Sequence, residues 1–133
     1  MRIRIAQHQT DRGDDWTTHE APRDLAPVLA SIPADAVVLI DCATLWLTNH
    51  LLAEAELETE IVNLLASLAD CPAPVVVVSN EVGWGIVPEN ALARAFRDHQ
   101  GRLNQRLAAQ AGLAVGVMAG LPMVLKGGLP SWM

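Results

Sequence analysis

The chain has 133 residues, 51% of them apolar, and a formal charge of −6. That length suits a single domain over 1–133, and the apolar share excludes wholesale disorder. The negative balance argues against a nonspecific nucleic-acid binder, which needs a basic face, although a local anion site stays open. Cys42 and Cys71 make neither a disulfide framework nor a metal-ligand cluster, and read as reduced residues. The opening "MRIRIAQHQTDRG" has no apolar run of the signal-peptide kind, and no later run is long enough for a membrane span. The expectation is an acidic, soluble, cytoplasmic protein with no nucleic-acid partner and no membrane insertion.

The first segment, "HQTDRGDDWTTHE" from His8 to Glu20, crowds two histidines, an arginine, four acids and a tryptophan into a near-terminal stretch. A neutral imidazole at His8 is a competent nucleophile toward activated phosphorus if cations support the phosphates. Arg4 and Arg12 offer that charge, and Arg12 has the fork that grips two phosphate oxygens. Glu20 suits a hydrogen bond to a ribose, a base or a metal-bound water. Taken alone, these residues favour the blander reading of a solvated leader. His19 reads as a surface residue.

Next comes "APRDLAPVLASI", a short helix signal with Leu25, Leu29 and Ile32 at spacings of four and three. The aliphatic run Ala36–Ile40 ends at Asp41 and does not alternate, which predicts a strand covered on both faces. Asp41 is placed either to hold Mg²⁺ beside a nucleotide phosphate or to cap the helix starting near Ala43. Thr44, Thr48 and Asn49 could add polar groups there, with packing an equal account of them. From Leu57 to Leu68, Leu57, Ile61, Leu64, Leu65 and Leu68 form one helical stripe; Glu54, Glu56, Glu58 and Glu60 make its wet, N-terminal side.

A second aliphatic run, Val75–Val78, leads into "SNEVGWGIVPEN". Glu81 sits at the strand end and Gly83 and Gly85 allow close approach, as a site would need; an equal account is a tight connection into the helix at Pro88 with Trp84 as a hydrophobic plug. A helix follows from Pro88, with Leu92, Phe96, Leu103 and Leu107 at helical spacing and Arg94–Asp98 and Asp98–Arg102 able to pair. His50 and His99 read as ordinary helix positions. A weaker strand signal covers Leu113–Met118. The order strand, helices, strand, helix, strand predicts a three-layer α/β fold with a mainly parallel sheet, whose ligands bind beyond the carboxyl ends of the strands. No G-x-x-x-x-G-K precedes a Ser or Thr anywhere; Lys126 is the only lysine, and its glycines follow it.

Three stretches together, "RIAQHQTDRGDDWTTHE", "VVLIDCATLWLTN" and "VVVVSNEVGWGIVPENALARAFRDHQGRLNQRLA", closely resemble the bifunctional cobinamide kinase/cobinamide-phosphate guanylyltransferases of cobalamin biosynthesis. The resemblance runs from Arg4 to Lys126. It implies a P-loop NTPase-like (RecA-like) fold that uses GTP, ATP and Mg²⁺ on adenosylcobinamide and its phosphate. It also implies a guanylylated histidine at His8, nucleotide contacts at Gln9, Thr10, Asp11, Arg12 and Glu20, a strand-end acid and metal ligand at Asp41, and homo-oligomers, often trimers.

The sequence departs from that family pattern in lacking the strand, "GG-RSGKS" loop and helix that the family carries ahead of the histidine segment. The expectation is an N-terminally truncated or degenerate form in preference to an intact short enzyme. The alternative function is a catalytically silent fragment acting as an interaction or assembly partner. A missing strand exposes backbone and apolar surface. The isolated chain is therefore expected to dimerise or aggregate; cooperative unfolding as a monomer in dilute solution would contradict this.

Overall fold

The computed structural model describes residues 6, 7, 10, 11 and 13–132. Arg4, His8, Gln9 and Arg12 lie outside the described residues. In chain order the elements are α1 (Ala26–Ser31), β1 (Val38–Asp41), α2 (Ala43–Leu52), α3 (Leu57–Asp70), β2 (Val75–Val78), α4 (Ala91–Gln110), β3 (Ala114–Met118) and β4 (Leu121–Lys126).

Local chemistry sets the helix ends. Pro27 sits in the first turn of α1, where a missing N–H costs no hydrogen bond. The Glu56 carboxylate caps α3, accepting from the Thr59 amide at 2.8 Å and the Thr59 hydroxyl at 2.6 Å. Those bonds, the hydroxyl's first, hold the Glu56 carboxyl below its ordinary pKa. The stabilisation is therefore present above the unfolded-state value and lost as pH falls through the lowered folded-state one. Helix α4 begins later than the Pro88 signal suggested: Pro88 stays in the loop. Asn90 is the cap, its side chain accepting from Leu92 and Ala93 at 2.8 and 3.1 Å. At the other end of α4, the Lys126 ammonium donates to the Ala108 and Ala109 carbonyls at 3.1 and 2.7 Å. A cation suits a helix C-terminus.

Strands β1 and β2 pair in parallel, from Val38↔Val75 to Asp41↔Val78, with α2 and α3 forming the crossover. Their faces differ. Ile40 is 9% exposed, whereas Leu39, Val76 and Val78 are 36%, 53% and 41% exposed. The expectation that both faces are covered therefore fails: the run is uniformly aliphatic, but only the inner face meets helices.

The predicted third strand forms as β3 but does not extend the parallel pair. It pairs antiparallel with β4, an unpredicted strand, in a separate two-stranded sheet. The reversal comes from Ala119 and Gly120, both at positive φ (52° and 75°), the conformation of a tight hairpin turn. The fold is thus α/β with one parallel and one antiparallel pair among the described residues. Gly127 (φ 75°) closes the hairpin against Gly112, whose carbonyl a Cβ would strike.

The core lies between α2, α3 and α4. Ala43, Trp46, Leu47, Leu57, Ile61, Leu64 and Leu103 form it, with Val77, Phe96 and Leu107 packed on its margin. The α3 stripe read from the sequence is the one that is buried. No helix among the described residues is long and apolar enough to cross a membrane.

Leu103 is fully buried and Leu52 is 68% exposed. Leu103→Ala should destabilise the chain by about 2–5 kcal/mol, and Leu52→Ala by less than about 0.5 kcal/mol, as read from urea unfolding midpoints.

Candidate functional site

Because β1 and β2 run in parallel with Asp41 opposite Val78, both strands release the chain at one edge. Asp41 is exposed there, and Ser79–Asn90 leave beside it. The capping position of α2 falls on Cys42, not Asp41, and Cys42 makes no side-chain cap bond. Asp41 is therefore not the N-cap residue of α2.

Past Val78 the ladder ends, and side chains from two helices supply its next partners. The Asn80 amide donates to the Thr44 hydroxyl of α2 at 2.9 Å. The Asn80 carbonyl accepts from the Asn104 side chain of α4 at 3.1 Å. The Ser79 hydroxyl donates to Asn104 Oδ1 at 2.6 Å, and Gln100 Nε2 donates to both Ser79 Oγ and Asn104 Oδ1 at 2.9 Å. Gln100 is fully buried, and its Oε1 has no partner. Gln100 and Asn104 were not singled out from the sequence. The available signal was a polar pair four residues apart on a helix face shared with Leu103 and Leu107. The Thr48 hydroxyl donates to the Thr44 carbonyl within α2, so it is accounted for locally.

The glycine-rich loop is held from outside. Arg97 donates to the Gly83 carbonyl at 2.6 Å and to the Gly85 carbonyl at 3.3 Å; Arg94 donates to those of Pro88 and Glu89. Arg94 is thus turned to the loop, and the expected pairs with Asp98 do not form among the described residues. The Glu81 carboxylate accepts from the Gly83 amide at 2.6 Å, and a Cβ on Gly83 would lie 2.7 Å from that oxygen, so glycine is needed for this approach. Trp84 is not a plug. With the carbonyls on either side of it turned to Arg97, it projects outward, 76% exposed, beside Ile86 at 97%.

The opening segment is anchored on α2 as well. Trp46 Nε1 donates to the Arg23 carbonyl at 2.8 Å, Asn49 Nδ2 to the Pro22 carbonyl at 2.9 Å, and His50 Nε2 lies 3.2 Å from the Arg23 carbonyl. Glu20 is exposed just before this anchor. Thr10 and Asp11 are exposed, and bond within their own turn to the Ala6 carbonyl and to Gln7. His19 is exposed as expected, whereas His50 is buried beside Trp46, their ring centroids 4.5 Å apart.

Two clefts lie elsewhere. One of about 630 Å³ separates the start of α3 from His99, Arg102 and Arg106 of α4, and an Arg106–Glu58 ion pair of 2.7 Å spans these helices. The other, about 350 Å³, lies between Arg23–Ala26, Trp46 and α3. Neither touches Asp41 or the Ser79–Asn90 loop. Among the described residues no group of three or more His, Cys, Asp or Glu could hold a metal ion.

A family model described as cobinamide kinase / cobinamide phosphate guanyltransferase matches residues 1–125. The bifunctional adenosylcobalamin biosynthesis protein CobU of Salmonella typhimurium is 41% identical over 142 aligned positions, spanning 95% of this chain and 78% of that protein. The bifunctional adenosylcobalamin biosynthesis protein CobP of Pseudomonas aeruginosa is 42% identical over 130, spanning 96% and 75%. The Escherichia coli CobU is 39% identical, spanning 95% and 78%.

Thr44→Val keeps the shape of a side chain that is 8% exposed but removes the acceptor for the Asn80 amide. The expected cost is about 0.5–1.5 kcal/mol, that of one lost hydrogen bond, because Asn80 is exposed and its amide can turn to water; denaturant unfolding measures it.

Proposed function

The chain belongs to the cobinamide kinase / cobinamide phosphate guanyltransferase family, and from that premise we propose that its strand-end edge serves a guanine nucleotide whose GMP passes through His8. The observation that carries this reading is the shared edge where Asp41 and Ser79–Glu81 emerge from a parallel pair. That is where open α/β sheets take their ligands. A P-loop NTPase-like (RecA-like) arrangement is part of the proposal, supported by the parallel pair and its two-helix crossover.

The chemistry runs in two in-line displacements. A ring nitrogen of His8 attacks the α-phosphorus of GTP; the new P–N bond forms as the P–O bond to pyrophosphate breaks. A phosphate oxygen of adenosylcobinamide phosphate then attacks the same phosphorus, the P–N bond breaks, and adenosylcobinamide-GDP leaves with a free imidazole. Splitting the transfer lets one histidine serve both halves. The preceding kinase step moves the γ-phosphoryl group of ATP or GTP to the hydroxyl of adenosylcobinamide.

Arg12 would grip the nucleotide phosphates, Gln9, Thr10 and Asp11 would be further nucleotide contacts, and Glu20 would contact the nucleoside. Asp41 would hold Mg²⁺, which supplies charge compensation to the phosphates. An exposed carboxylate at a strand end fits that ion, since Mg²⁺ keeps several waters and needs only one or two carboxylates beside phosphate oxygens. Assembly as a homo-oligomer, a trimer by the same family resemblance, belongs to this reading.

The chain incubated with α-³²P-labelled GTP and Mg²⁺ should acquire an acid-labile, base-stable label that His8→Gln abolishes. A wild-type chain that stays unlabelled, or a His8→Gln chain that labels equally, would overturn the assignment. An unlabelled chain would favour the silent assembly-partner role.

A further inference from the structure

We infer that Trp46, Asn49 and His50 form a clamp on α2 that sets the position of the Glu20-bearing segment relative to the strand end at Asp41. They act as positioning residues for nucleotidyl transfer. The inference rests on the reading of His8 and Glu20 just given. These three side chains stand at i, i+3 and i+4, one face of the helix. Their donors converge on two successive backbone carbonyls, at 2.9 Å on Pro22 and at 2.8 and 3.2 Å on Arg23.

The clamp is built of committed groups. Trp46 and His50 are each 5% exposed, so their nitrogens have no bulk water to fall back on. Indole has one N–H, and it goes to Arg23. On its other side the His50 ring faces Glu60, with Nδ1 4.0 Å from Oε2, and its face meets the Trp46 ring. Apolar packing alone would hold the segment against α2 but leave it free to slide and turn. Directional bonds to adjacent carbonyls fix its orientation as well.

The link from clamp to site is short and stiff. Glu20 is two residues before Pro22, so at most about 7 Å of chain separates their Cα atoms. Pro22 has a fixed φ and drives Ala21 toward an extended backbone, which removes most of the freedom in between. At its other end α2 starts two residues after Asp41, and its Thr44 holds the Asn80 amide. One helix therefore fixes both the strand edge and the segment leading back to His8.

The test measures the rate of GTP-dependent labelling of His8, hydrogen–deuterium exchange in residues 13–24, and the unfolding midpoint. Trp46→Phe keeps the ring body and deletes the donor. Asn49→Asp keeps the shape and turns acceptor against acceptor. Each should slow labelling about tenfold or more, the penalty of a displaced reactive group, and speed exchange in 13–24. The midpoint of the half-buried Asn49→Asp variant should stay near wild type. His50→Gln, which retains a donor, should recover the rate that His50→Leu loses. If wild type labels and both Trp46→Phe and Asn49→Asp label at its rate, the inference fails and the His8 assignment stands. If wild type takes no label, the His8 assignment fails and takes the inference with it.

Discussion

Where a two-stranded parallel ladder ends, the next backbone groups still need hydrogen-bond partners, and in this chain they come from helix side chains. Asn80 shows the constraint most fully: its N–H is held by Thr44 of α2 and its C=O by Asn104 of α4. The edge that carries Asp41 and Glu81 is therefore a junction of both helices as much as a product of the sheet. This accounts for the buried Gln100 and half-buried Asn104 in a helix otherwise packed by Leu103 and Leu107. A polar pair inside an apolar stripe is costly unless bonded; here the side-chain N–H bonds end on Ser79 and Asn80, and Gln100 Oε1 alone is left without a partner among the described residues.

Helix α4 organises the rest of that edge. Asn90 starts it, and two arginines on its first turns face backward onto loop carbonyls, so the glycine-rich loop is shaped by side-chain donors. At the far end Lys126 is committed to the helix's own last carbonyls. It is the only lysine in the chain.

Several of these features were legible beforehand because they rest on local rules. The α3 stripe follows from 3.6-residue periodicity, and β1 and β2 follow from aliphatic runs bounded by turn residues. Asp41 and Ser79–Glu81 stood out as polar groups directly after aliphatic strands, and they do emerge at one edge of the parallel pair. What escaped depended on geometry between distant residues. An aliphatic run does not say which of its faces meets a helix, so the exposure of Leu39 and Val76 was hidden. β4 was missed because Ala119 is an unusual residue for positive φ, and no Asn-Gly or Asp-Gly flagged the hairpin. Trp84 looked like core by type, but the loop that carries it is held by Arg97, which lies fourteen residues after Gly83 and donates to its carbonyl. His8 and Arg12 rest on family resemblance, since one histidine and one arginine near a terminus have no distinguishing periodicity.

The same physics bears on why α2 carries so much polar machinery on a buried face. Its first turn holds the strand edge through Thr44, and its next turns hold Pro22 and Arg23 through Trp46, Asn49 and His50. Leu47, fully buried between these, ties the helix to the core. A rigid element bonded at both ends transmits position without needing either segment to touch the other. In the reaction proposed above, that arrangement would align the strand-end acid with the segment that carries Glu20. It also confines the cost of misalignment to a few directional bonds, because the packed core beneath α2 keeps the helix itself from drifting.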